Sequence, residues 1–435
     1  MERSRFSTLL LATSLGLLSV ACTSSSGSSG GGSDNGGQGG DGGGGGTSAP
    51  TESLDEIDLD ADPDGDRIVD IPDTVDDLFK DVFTRYAALE TATGRIHLLA
   101  QDGVSNDKIR RTRDVLRQHL TNVPGTAQGA DKDSVAAAMV ESGATAAIFN
   151  SASAVDLANP EVLAYISAVE TTGVILPAER IVLEGSSAYM ATMPAEDNTF
   201  GALAALVYKS GLVPDRPGFA AQLEDLRAAA IADGSFVPRP ETPDAQAVAA
   251  YLTTAMDVHS GIYGHDPIGN GVANGAGGEL MAIDRDDLGA ALPGTLDWID
   301  SFFASGHDFP VLLPESFSGN FDCLRRTSNP YTARSQHLRN IEMTGSNSGE
   351  IFAAPFDSIL RGNSGNNNLK GRRGFDTVYG GDGFDTAVFS GPQSDYTIEI
   401  LSDRVIVEDV LGGHEQTDTL FGIERLQFTD GGFNL

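Results

Sequence analysis

Gly380-Gly381-Asp382-Gly383-Phe384-Asp385-Thr386-Ala387-Val388 carries glycine at its first, second and fourth places, aspartate at its sixth and a small apolar residue at its eighth. The nine residues before it, Gly371 to Tyr379, keep Gly371, Gly374, Asp376 and Val378. The nine before those, Gly362 to Lys370, keep Gly362, Gly365 and Leu369 but set Asn367 in the aspartate's place. The apolar place reaches further back still, so that Ile351, Leu360, Leu369, Val378 and Ala387 recur every nine residues. This period predicts a short parallel β-roll that turns twice in eighteen residues, with glycines at each tight turn and the apolar residues stacked as a narrow core.

The same spacing predicts chemistry. Aspartate at a turn can join backbone carbonyls of stacked turns around a hard cation, and calcium takes six to eight such oxygens. Asp376 and Asp385 are the expected ligands; Gly374, Gly380, Gly381 and Gly383 shape the turns, and Asn367 marks a weaker one. Without a cation the stacked carboxylates repel, so binding and folding are expected to be coupled. These repeats resemble the hemolysin-type (RTX) calcium-binding family, and three legible copies imply one or two ions. Beyond them, Ser394 to Ile400 and Arg404 to Val407 alternate like antiparallel strands. Asp418 to Phe428 resembles the segment that closes such rolls, where a cap covers an otherwise open sheet edge.

At the other end, Arg3 and Arg5 precede an apolar run from Phe6 to Val20, too short for a membrane span. The run ends in Leu18-Ser19-Val20-Ala21-Cys22, which resembles the lipobox of bacterial lipoproteins. That resemblance implies a signal peptide over 1–22, lipidation of Cys22 and, with Thr23 next, sorting to the outer membrane; release to the extracellular space is the alternative. Residues 23–53, mostly glycine and serine, predict a flexible tether spanning roughly 30 Å. The chain has a formal charge of −34, which repels nucleic-acid phosphate and anionic lipid headgroups. The expected partners are therefore calcium, a membrane only through the lipid, and a protein or surface ligand. Two cysteines, Cys22 and Cys323, leave no disulfide for the mature chain.

An acidic segment over 54–73 places Asp60, Asp62, Asp64, Asp66 and Asp70 at alternate positions around Gly65. Carboxylates so spaced can turn several oxygens toward one cation, and the spacing resembles thrombospondin type 3 calcium repeats. A solvated acidic linker is the other reading.

Residues 74–340 predict an α+β domain, and 341–435 the roll with its β-rich cap. Val75, Leu78, Phe79, Val82, Phe83 and Tyr86 share a helical face; Arg95–Leu99 and Ala146–Phe149 predict strands. Helices are expected from Ser105, over Val135–Val140, and around 199–210, 217–232, 243–258 and 294–304. Stretches such as Leu98 to Val104, Leu120 to Gly125 and Glu315 to Phe321 resemble bacterial calcium-repeat proteins with a metallohydrolase-like domain. That resemblance implies a helix carrying glutamates and histidines as metal ligands. The matching stretch, Phe200 to Lys209, has Gly201, Ala202, Ala205 and Tyr208 at those places, so no lone pair for zinc remains. No two histidines lie three or four residues apart, and the serines of Gly185-Ser186-Ser187 and Ser210 beside Gly211 lack the G-x-S-x-G nucleophile turn. His259, His265, Asp257 and Asp266 form the densest remaining cluster. Two functions follow: a noncatalytic, calcium-binding surface lipoprotein with a binding or display role, or a secreted hydrolase with an unrecognised site in the central domain.

Overall fold

The computed structural model describes residues 51–435 apart from Pro63, Pro267 and Ile268. Cys22, the signal segment and nearly all of the 23–53 tether lie outside the described residues. Among those described, no helix is long and apolar enough to cross a membrane.

Five strands, Val69–Asp70, Arg85–Glu90, Arg95–Ala100, Thr145–Phe149 and Gly173–Pro177, form one sheet in chain order. The first two pairings are antiparallel and the last two parallel. Helices Asn106–Leu120 and Asp133–Glu141 make the first parallel connection, and Pro160–Ala168 the second. Successive strand residues face opposite ways, so Leu98 enters one apolar cluster and Leu99 another. Both sheet faces are buried, which is why these strands are nearly continuous apolar runs rather than alternating ones.

The helical face expected across Val75–Tyr86 is realised only over Asp77–Lys80. Tyr86, Ala87, Ala88 and Leu89 instead pair with Leu99 to Ile96 as a strand. The helical spacing of Tyr86 with Val82 and Phe83 yields to a hairpin whose Thr91 N–H donates to the Gly94 carbonyl. The Thr199–Val207 helix packs on the Ala247–His259 helix, close enough that a Cβ on Gly201 would lie 2.7 Å from Asp257 Oδ1.

The C-terminal region is rich in parallel strands. One sheet aligns Gly319–Asp322, Gly349–Phe352, Asn367–Lys370, Thr386–Val388 and Arg425–Phe428; the other aligns Val311–Leu313, Asn340–Met343, Ile359–Arg361, Thr377–Tyr379 and Thr417–Phe421. The chain alternates between the sheets, so Ile351, Leu369 and Ala387 align in one and Leu360, Val378 and Leu420 in the other. All six are buried. This stack begins at Val311, ahead of residue 341, and its interior is continuous with the apolar cluster of the central body. Antiparallel strands Tyr396–Ile400 and Val405–Asp409 extend one sheet, and Gly431–Asn434 extends the other.

Candidate metal centre

Between Gly349–Phe352 and Thr386–Val388 each passage from one sheet to the other is a short turn, and turns two repeats apart lie on the same edge. Gly371–Asp376 links Asn367–Lys370 to Thr377–Tyr379; Gly380–Asp385, on the opposite edge, links Thr377–Tyr379 to Thr386–Val388. Gly383 takes a φ of 113°, and a Cβ there would lie 2.6 Å from the Gly365 carbonyl oxygen. Only glycine combines that dihedral with that approach.

The aspartates form a ladder between stacked turns. Asp376 Oδ1 accepts the Ser358 N–H at 2.8 Å, and Asp385 Oδ1 accepts the Asn367 N–H at 2.7 Å; each bond spans eighteen residues. The ladder continues upward, with the Asp376 N–H donating to Asp418 at 3.2 Å and the Asp385 N–H to Glu424 at 2.8 Å. A parallel set joins the neighbouring places, Phe375 N–H to Asp357 and Phe384 N–H to Asn366.

Each carboxylate uses one oxygen in this way and leaves the other without a partner. Asp376 Oδ2 and Asp385 Oδ2 are buried and accept no hydrogen bond from any described group, in residues only 1 % and 0 % exposed. Beside each stands a glycine. A Cβ on Gly371 would collide with Asp376 Oδ2, and one on Gly380 would come within 2.6 Å of Asp385 Oδ2. Burial pushes the Asp376 carboxyl up to about 8, further raised by Asp357 and Glu415 and opposed by the Ser358 hydrogen bond. Burial likewise lifts Asp385 to about 6 and holds Asp418 well above the ordinary carboxylate range. An ionised, buried, half-satisfied carboxylate is costly unless a cation reaches it. A carboxylate oxygen without a partner is one of the donors a hard cation takes.

Asn367 is satisfied within its own turn, accepting the Asn363 N–H at 2.8 Å and donating to Asn363 Oδ1 at 3.2 Å. Lower on the Asp376 edge, Arg372 holds a left-handed φ of 69° and reaches down the stack. Its guanidinium bonds the Ala353 carbonyl and pairs with Asp322 at 2.9 Å. An organic cation thus sits where this edge meets the first strands.

The acidic segment is built differently. Asp62 accepts the Asp64 N–H at 3.0 Å and the Arg67 N–H at 2.6 Å. Asp66 accepts the Ile68 N–H and the Asn106 amide, each at 3.0 Å, and pairs with Arg110. Asp60 pairs with Arg67 at 3.5 Å and Asp70 with Arg85 at 3.3 Å. Asp60, Asp66 and Asp70 thus turn to arginines, and Asp62 is occupied by backbone N–H groups of its own loop. The four residues of the densest histidine cluster also part company. Asp257 accepts the Gly201 N–H at 3.0 Å, His259 bonds Asp300 at 2.9 Å, and Asp266 caps the Gly269 and Asn270 N–H groups at 2.8 and 3.1 Å. His265 is half-buried apart from these bonds. Among the described residues no three His, Cys, Asp or Glu side chains converge as a metal group. A turn site of one carboxylate with backbone carbonyls contains no such trio. Cys323 is buried and unpaired, and burial pushes its thiol up.

Asp418, Glu424 and Arg372 were not singled out in the sequence. Asp418 could have been, because Asp-Thr-apolar recurs at 376–378, 385–387 and 418–420. The hairpin inserted between the last two copies hides the period.

No known protein-family profile matches the chain, and no curated protein matches it.

Proposed function

We propose that this chain is a calcium-dependent surface protein whose C-terminal stack is a β-roll of the RTX type. Calcium joins Asp376 Oδ2 on one edge and Asp385 Oδ2 on the other, with carbonyls of the adjoining turns completing each shell. One observation carries this reading: two buried carboxylate oxygens without partners, at the same place of successive turns, one on each edge. The cation neutralises charge that burial disfavours, so ion binding and closure of the turns proceed together. Arg372 performs the equivalent neutralisation at Asp322 without metal. The reading extends to export and tethering through a lipid on Cys22, which rests on the sequence alone.

The central domain is assigned a binding or display role. Gly201 abuts the Thr253 carbonyl and Asp257, so the Thr199–Val207 helix has no room for a longer side chain there. Its neighbours Ala202, Ala205 and Tyr208 offer no metal ligand of the expected kind.

Equilibrium dialysis of the full chain against calcium, followed by elemental analysis, tests the assignment. Two bound ions are expected, one fewer in Asp376→Ala and one fewer in Asp385→Ala. Unchanged stoichiometry in both variants would overturn it.

A further inference from the structure

Arginines gather at one place in this strongly acidic chain. Arg110, Arg113 and Arg117 lie three and four residues apart on one face of the Asn106–Leu120 helix, where side chains at such spacings are neighbours. Facing them are Asp64 to Arg67 and the strand residues Ala88 to Glu90, around a cleft of about 610 Å³. A cleft of that size suits a small solute.

Three of the four arginines have partners. Arg67 pairs with Glu90 at 3.0 Å, Arg110 with Asp107 at 3.0 Å and Asp66 at 3.4 Å, and Arg117 with Asp114. Arg113 pairs with no carboxylate among the described residues. It is 9 % exposed, its Nε is sealed without a partner, and its one hydrogen bond runs from Nη1 to the Arg67 carbonyl at 3.4 Å. Arg113 is also one of the residues lining the cleft. A buried guanidinium with one long hydrogen bond is destabilising by itself, and its fork of donors matches a planar or tetrahedral oxyanion.

We infer that the cleft binds a small solute bearing one carboxylate or phosphate group, held by Arg113. The neighbouring carboxylates Asp64 and Glu90 are exposed acceptors, which favours a ligand that also carries hydroxyl donors. A sugar acid or a sugar phosphate combines both features. No residue of this cleft belongs to the turns holding Asp376 and Asp385.

Calorimetric titration of the full chain with glucuronate and with glucose 6-phosphate tests this, with glucose as the uncharged control. At least one anion should saturate a single site while glucose does not, and the anion that binds assigns carboxylate or phosphate. Arg113→Met should weaken that binding by more than about tenfold yet melt no lower than wild type without ligand, since it removes an unpaired buried cation. Arg113→Lys, which keeps the charge and loses the fork, should bind at intermediate strength and guards against a misfolded methionine variant. Failure of both anions to saturate, equal binding of glucose, or wild-type affinity in both variants would overturn the inference.

Discussion

The Ser358 N–H donates to Asp376 Oδ1 at 2.8 Å across eighteen residues, while Asp376 Oδ2 stays buried without a partner. One carboxylate therefore does two things: it registers neighbouring turns and presents a second oxygen that no described group satisfies.

Asp376→Asn separates these roles. The amide oxygen still accepts the Ser358 N–H, but the negative charge is gone. Calcium affinity measured by chelator competition should fall by about tenfold or more. Because the Asp376 carboxyl titrates near pH 8 in the metal-free fold, a proton competes with calcium below that pH. Wild-type affinity should therefore rise with pH up to about 8, and the variant's profile should be flatter. Equal affinities and slopes would contradict the assignment.

Arg372→Met tests the metal-free counterpart. Removing the guanidinium leaves Asp322, 5 % exposed, paired with Arg326 alone. Stripping one partner from a buried pair should cost about 2–3 kcal/mol, at the low end because Arg326 remains. Urea unfolding in saturating calcium measures it, and no change in midpoint would refute it.

Gly201→Ala tests the packing of the helix that lacks the expected ligands. Alanine gains up to about 1 kcal/mol in helix propensity. Its Cβ would lie 2.7 Å from Asp257 Oδ1 and nearer still to the Thr253 carbonyl, and such overpacking costs about 1–3 kcal/mol. Sterics should win, giving a lower melting temperature; a rise would show that the helix pair can separate.

Acid should weaken the central body through its buried imidazoles. Burial lowers His97, His119 and His259 to about 4, against about 6.5 in the unfolded chain. The unfolded state thus binds more protons between those values, and stability falls as pH drops from about 6.5 to about 4. His119→Gln should flatten that limb of a pH–stability curve. An unchanged slope would place the acid sensitivity elsewhere.

The nonapeptide stretch was the most legible part of the chain, because glycine, aspartate and an apolar residue each answer a separate demand of one turn. From that period the buried series Ile351, Leu360, Leu369, Val378 and Ala387 could be named directly. The earlier strands Val311–Leu313 and Gly319–Asp322 could not, since no glycine-aspartate turn precedes them. Tyr86, the last residue of the expected helical face, misled for a different reason: it lies in a strand buried on both faces, where the two-residue alternation is erased. At the candidate site, Asp376 and Asp385 were visible as residues, but not the division of labour between their oxygens. Arg372 was hidden because arginine occupies a place where the repeat has glycine. In the acidic segment, spacing alone could not tell a cation cage from carboxylates turned toward Arg67, Arg85 and Arg110.

Amide hydrogen exchange of the full chain with and without calcium tests the central claim most directly. Calcium should slow exchange at Ser358, Asn367, Asp376 and Asp385, the N–H groups of the carboxylate ladder. The sheet amides of Arg95–Ala100 should be unaffected. Equal protection of the ladder amides with and without calcium would contradict the account.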